Sequence, residues 1–455
     1  MRGIANFIFS VAFLFVTSLA CAEELKYFSA NSDIPGVTRD MKRPGFWIAR
    51  HPDPDGVIMG STAIDKFNQT LLKDKIISNL AEVPINSDGV KLKDELSTIL
   101  RGLKKRSLFE ESGREAGASF YKRMELEADL SRIAGSVQTR FGFLITNADE
   151  RLLPTKAPLY AQAGDVDFDE VQNSALMVGE PVVVLHKSYS GQWFFVKDRI
   201  ASGWVEASKV AFSTRDEFMA FLERKDIVLV TQSKADMYLD RQMTKYCATV
   251  RMGSYFVLKN SVGRSVEVLL AQRQTNGSVS FISGFLDRED VSFGFLPFTS
   301  RNIYRQAFKM LNAPYGWGDM YGEQDCSRFL QMVFATMGIH LPRNSGDQGR
   351  VGQMIKGFAE ELSSEEKRVI IADYALGAQT LLRFKGHIAL YLGEVGGEPY
   401  VIHETWGYRQ PSSSGDRVRI LNRVVVSRLD LGAGSQKGSL FDRMISARII
   451  GTKLR

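Results

Sequence analysis

The stretch from Tyr315 to Met337 constrains this chain more than any other. Tyr315-Gly316-Trp317-Gly318 is a glycine-broken loop that leads to Gln324-Asp325-Cys326-Ser327-Arg328-Phe329-Leu330. Phe329, Leu330, Val333, Phe334 and Met337 then recur at helical spacing, which places Cys326 in the first turn of a helix. There the unpaired N–H groups and the positive end of the helix dipole favour a thiolate over a thiol. A free cysteine is more often a small buried hydrophobe. The polar neighbours Asp325 and Ser327 count against that reading, because a packing residue has no need of them.

A thiolate nucleophile needs a base, and the chain offers one downstream. Gly386-His387-Ile388-Ala389-Leu390-Tyr391-Leu392 alternates, Gly393 to Gly397 turns, and Pro399-Tyr400-Val401-Ile402-His403 returns. A hairpin symmetric about Val395 sets His387 opposite His403, with Cβ atoms about 5 Å apart. A one-residue slip would send them to opposite faces. In that register His387 takes the proton of Cys326 through one ring nitrogen, and His403 accepts a hydrogen bond from the other. The same three residues are also a feasible zinc set, although no short-spaced ligand pair accompanies them.

The 455 residues allow about three or four domains. Residues 1–22 read as a signal peptide: Arg2, an apolar run from Phe7 to Phe15, and Ala20-Cys21-Ala22 as the cleavage site. Cys21 as a lipoprotein cysteine is the alternative. Cleavage after Ala22 leaves Cys247, in a strand-like core run, and Cys326. A periplasmic or secreted location follows, with no integral membrane segment in the mature chain; the mean hydropathy of −0.13 agrees. The net charge of +6 suits attraction to an anionic wall polymer. No clustered base-reading or aromatic-stacking pattern suggests nucleic acid.

Four regions follow the leader. Residues 23–148 carry amphipathic helical patterns over 65–80, 92–103 and 119–133, with His51 alone in a loop. Residues 149–212 hold short strands at 181–185, 192–197 and 203–205, the texture of a small β-barrel. Residues 213–297 repeat that texture more loosely. Residues 298–455 hold the cysteine and histidine motifs, and the glycine- and serine-bearing segment 405–440 has no assigned place.

The strand order of 150–212, with Gly191-Gln192-Trp193 and Gly203-Trp204-Val205, resembles bacterial SH3-like domains of cell-wall enzymes. Pro314-Tyr315-Gly316-Trp317-Gly318, Asp325-Cys326-Ser327, Leu341 to Gln348, Gly386 to Tyr391 and Ile402-His403 together resemble the NlpC-type (NlpC/p-sixty) cell-wall cysteine peptidases. The resemblance spans 314–403. It implies a multidomain α+β architecture: a circularly permuted papain-like catalytic domain, two SH3-like barrels and a mainly helical N-terminal domain. It also implies Cys326 as nucleophile, His387 as base and His403 as orienting residue, with Asp325, Ser327, Trp317, Arg343 and Ser345 shaping the substrate cleft. Arg328 stands where the family usually has glycine, and its long side chain is expected to narrow that cleft.

The implied activity is hydrolysis of peptidoglycan stem peptides or muropeptides, at the bond between γ-D-glutamyl and diaminopimelate or lysine. No metal or organic cofactor is expected. The alternatives are a catalytically silent peptidoglycan-binding module, or a wall amidase or acyltransferase working through the same thioester.

Overall fold

A computed structural model describes residues 27–29 and 34–451; the expected signal segment and Cys21 lie outside the described residues. Three seven-stranded sheets dominate the molecule. The sheet that carries the histidines runs in the order Tyr27–Ser29, Arg417–Arg428, Glu398–Gln410, His387–Val395, Thr380–Phe384, Met444–Ile449 and Gln353–Met354. Every pairing in it is antiparallel except that of Tyr27–Ser29 on Arg417–Arg428.

The histidine hairpin turns more tightly than its sequence implies. Val395 faces Glu398, leaving only Gly396 and Gly397 in the turn. Both have positive φ, 61° and 78°, as a two-residue turn matched to strand twist requires. Leu390 faces Ile402, so His403 lies across from Ala389, a diagonal step from His387. The two histidines still share a face, because the register moved by an even number of residues. Segment 405–440 also finds its place. It extends this strand to Gln410, returns as Arg417–Arg428, and loops over to Met444.

Cys326–Ala335 is the central helix, and its residues from Cys326 to Phe334 are all buried. Asp325 caps it by accepting the amides of Ser327 and Arg328, a favourable use of a carboxylate at a helix N-terminus. Phe329, Leu330 and Val333 share a core with Ile388, Leu390, Ile402, Val424 and Val426 of the sheet.

The first barrel comprises the strands Val210–Ser213, Arg140–Leu144, Pro181–Lys187, Trp193–Lys197, Ser202–Glu206, Ala148–Arg151 and Gln172–Leu176. Arg140–Leu144 pairs with two of these strands, so the sheet begins before the expected boundary at 149. The second sheet covers Ile227–Phe293 in seven strands. Helix Arg215–Leu222, closed by a Thr214–Glu217 capping box, precedes it and buries Phe218.

The described residues from 34 to 139 divide between their neighbours rather than form a helical domain of their own. Met41, Trp47, Met59, Ile64, Leu71 and Ile77 join the core around Phe329. Leu92 and Leu96 of helix Gly89–Lys104 pack on Trp193, Phe195 and Trp204 of the first barrel. Leu100, Leu103, Phe120 and Met124 pack on Leu153, Leu159 and Val171. Each helix has one apolar stripe and buries it against the nearest sheet or loop.

Candidate active site

Cys326 opens its helix beneath the strand His387–Val395, and the amide of Ile388 points at its sulfur. His387 Nε2 lies 2.7 Å from His403 Nδ1, and His403 Nε2 lies 2.9 Å from Ser427 Oγ. The sulfur and the His387 ring form no hydrogen bond in this structure. The two histidines are thus paired at one corner of the sheet, buried at 9% and 1% exposure, and Cys326 lies under the Ile388 amide next in sequence to His387.

The resting protonation differs from the thiolate expected at a helix N-terminus. Burial pushes the Cys326 thiol up to about 12, and the Asp325 carboxylate adds to the rise. The Ile388 amide, the Arg343 charge and the Ser327 amide oppose it without prevailing. Desolvation costs a thiolate more here than one helix terminus returns. Burial likewise holds His387 well below the ordinary histidine range, aided by His403 and Arg443. Both shifts favour the neutral thiol and the neutral imidazole.

Asp325, Ser327 and Arg343 support the cysteine from below rather than face open space. Arg343 donates through Nη2 to Asp325 Oδ2 at 2.8 Å, and through Nη1 to Asp325 Oδ1 and Ser327 Oγ at 3.1 Å each. All three are buried. Gln348 Nε2 ties the carbonyls of Ser327 and Pro342 together. Ser345 opens a short helix capped by Asn344 and joins none of these contacts. Arg328, too, is buried; it bonds Gln331 and faces Asp319, so it does not narrow the cleft.

Asp319 is the residue that sequence reasoning missed beside the site. It is fully buried among Arg251 of the second sheet and Arg328 and Arg343, at 3.3, 3.5 and 3.6 Å. It also accepts from Ser174 Oγ and the Ala175 amide of the first barrel. Burial alone would raise its carboxyl; Arg343, Arg251 and Arg328 outweigh it and hold the group well below the usual carboxylate range.

The first barrel roofs the site with residues 167–175. Trp317 Nε1 donates to the Asp169 carbonyl at 3.1 Å, and Trp406 Nε1 to Asp167 Oδ2 at 2.9 Å. Phe168 lies edge-on between them, 5.4 Å from each ring. Tyr315 stands on the same side, its hydroxyl proton held tightly by burial and by nearby Cys326 and Asp325. The isolated aromatic Phe168 and the Trp406 that follows the second histidine carried no sequence signal of this pairing.

A buried cysteine at a helix start, against a strand whose histidine is paired to a second one, defines a thiol hydrolase. Residues 312–415 match the family model described as the NlpC/P60 family, and 158–206 match an SH3 domain of the SH3b1 type. The chain thus carries an NlpC/P60 domain, the domain of a family of cysteine peptidases, and an SH3 domain. The fold is similar to that of a solved NlpC/P60 endopeptidase from Photobacterium damselae subsp. piscicida, at TM-score 0.76 and 19% identity, over 93% of this chain and 99% of that one. An NlpC/P60 family protein from Bacillus cereus ATCC 10987 is also 19% identical, over 68% of this chain and 98% of that one, with a TM-score of 0.46. No curated protein matches significantly.

Proposed function

We propose that this protein is an endopeptidase of peptidoglycan stem peptides, cleaving between γ-D-glutamyl and the diamino acid, diaminopimelate or lysine, that follows. The observation that carries the reading is Cys326 at the helix start beside the Ile388 amide, with His387 paired to His403. His387 takes the thiol proton as sulfur attacks the amide carbonyl. It then returns that proton to the departing amine, leaving a thioester on Cys326. His387 next takes a proton from water, which attacks the thioester and frees the carboxylate product and the thiol. Asp325 takes the Ser327 and Arg328 amides, so the backbone N–H of Cys326 itself is the donor at the helix start that would meet the oxyanion.

The SH3 domain and the roof it builds support a peptidoglycan or muropeptide partner, and the leader pattern supports a periplasmic or secreted location. Among the described residues no helix is long and apolar enough to cross a membrane. The permuted papain-like ancestry of the catalytic domain belongs to the same reading.

The test is mass spectrometry of purified muropeptides after incubation with wild type and with Cys326→Ala. New termini at D-glutamate, absent with the variant, are expected. Unchanged muropeptides with wall binding intact would replace the peptidase with a docking module, and scission at another amide would favour the amidase reading.

A further inference from the structure

We propose that Ser427 is a positioning residue that fixes the proton order along the His387–His403 pair. The proposal rests on the catalytic roles given above and adds a fourth member behind them. His387, His403 and Ser427 occupy three adjacent strands, His387–Val395, Glu398–Gln410 and Arg417–Arg428. His403 faces Val425 and Val401 faces Ser427, so Ser427 stands one diagonal step beyond His403 on the same face. Its side chain is wholly buried.

The order of protons follows from the far end. The Ser427 hydroxyl has one hydrogen and two neighbours, the Arg428 carbonyl at 3.2 Å and His403 Nε2 at 2.9 Å. A carbonyl only accepts, so the hydroxyl donates to it and offers His403 a lone pair. His403 then carries its proton on Nε2 and accepts at Nδ1. The 2.7 Å contact obliges His387 to donate from Nε2. His387 Nδ1 is left as a lone pair, the only form of the ring able to take a thiol proton. Were the serine to donate to His403 instead, each ring would reverse, and His387 would hold its proton on Nδ1 and lose its function as a base. A polar residue within the run Val424-Val425-Val426-Ser427 is the sequence trace of this arrangement.

The experiment has two arms. With only five histidines in the chain, imidazole ¹⁵N NMR of histidine-labelled Cys326→Ala protein, assigned with His387→Gln and His403→Gln, reads both tautomers without substrate. Nε2–H forms at His387 and His403 are expected, with a mixed population at His403 in Cys326→Ala/Ser427→Ala. In the second arm Ser427→Ala in the active enzyme lowers kcat on a stem peptide on the order of tenfold while KM moves less than about twofold, the scale of losses for partners that orient a reacting group. An Nδ1–H form of His387 in the serine-containing protein, tautomers indifferent to Ser427→Ala, or an unchanged kcat would each overturn the proposal. A wild type that cleaves no stem peptide would instead overturn the peptidase reading, and the NMR arm would still decide this one.

Discussion

Arg343 grips Asp325 with both arms of its guanidinium, at 2.8 and 3.1 Å, one residue before the cysteine. A residue expected to touch substrate thus holds the cap of the helix that carries the nucleophile. The same arginine reaches Ser174 of the first barrel at 3.0 Å and faces Asp319. Position of the thiol and seating of the roof are therefore set by one buried ionic cluster.

Asp319 is the centre of that cluster, and its charge offsets three buried guanidiniums. Asp319→Asn keeps the shape and suits the positive φ of 70°, yet leaves the arginines uncompensated. A loss of about 3–5 kcal/mol is expected, the usual cost of breaking a buried ion pair from one side. Urea unfolding measures it; a loss under about 1 kcal/mol would show that the cluster is screened by water.

The protonated state of Cys326 has a direct chemical consequence. In Cys247→Ser protein, which leaves Cys326 as the one thiol of the described residues, iodoacetamide at pH 7 should react far more slowly than with a free cysteine. The thiolate is the reactive form, and burial withholds it. A fast alkylation at pH 6 to 7 would establish a preformed ion pair instead.

Acid stability tests the buried base. Burial, and secondarily Arg443, depress His403 to about 3, against about 6.5 in an unfolded chain. Between those values the unfolded state binds the extra proton, so His403 leaves stability unchanged above pH 6.5 and subtracts from it as pH falls toward 3. Melting temperatures of wild type should therefore fall more steeply than those of His403→Gln from pH 6.5 down to 4. Parallel slopes would mean that His403 is hydrated.

Two glycines of the loop before the cysteine separate backbone strain from packing. Gly318 and Gly322 have φ of 58° and 70°, but a Cβ at Gly318 would lie 2.8 Å from Gln172 of the first barrel, whereas Gly322 faces open space. Gly322→Ala should cost about 1–2 kcal/mol for the left-handed backbone alone. Gly318→Ala should cost more and loosen the roof, seen as faster proteolysis near 160–170. Equal costs would show that the barrel can shift to admit a methyl group.

Most of the chemistry was legible because it rests on local pattern. Cys326 opens its helix where the apolar stripe begins, and the alternation of 387–392 and 399–403 gave a hairpin with both histidines on one face. Register was less legible: Gly393 to Gly397 admit several turns, and the glycine pair 396–397 was chosen by strand twist. Roles that depend on distant partners were hidden. Asp325, Ser327 and Arg343 satisfy one another across the helix and loop that join them, and Asp319 acts through Arg251, 68 residues away in sequence. The helix start that favours a thiolate is visible in sequence, whereas the burial that pushes the Cys326 thiol up comes from residues distant along the chain.

The sharing of one core by residues 34–77 and by the cysteine helix bears on how the chain can be made. The SH3 domain and most of the second sheet are, in topological terms, an insertion: apart from Met252, the buried residues of the core around Phe329 come from 41–77 and from 298 onward. During synthesis the early segment must wait, with Trp47 and Met59 exposed, until more than two hundred further residues have emerged. The intervening sheets, half of whose pairings join consecutive strands, can form before the sheet of the histidines is complete. A fragment cut at 298, however well its motifs are chosen, would begin without the part of its core that Met41, Trp47, Met59, Ile64, Leu71 and Ile77 supply.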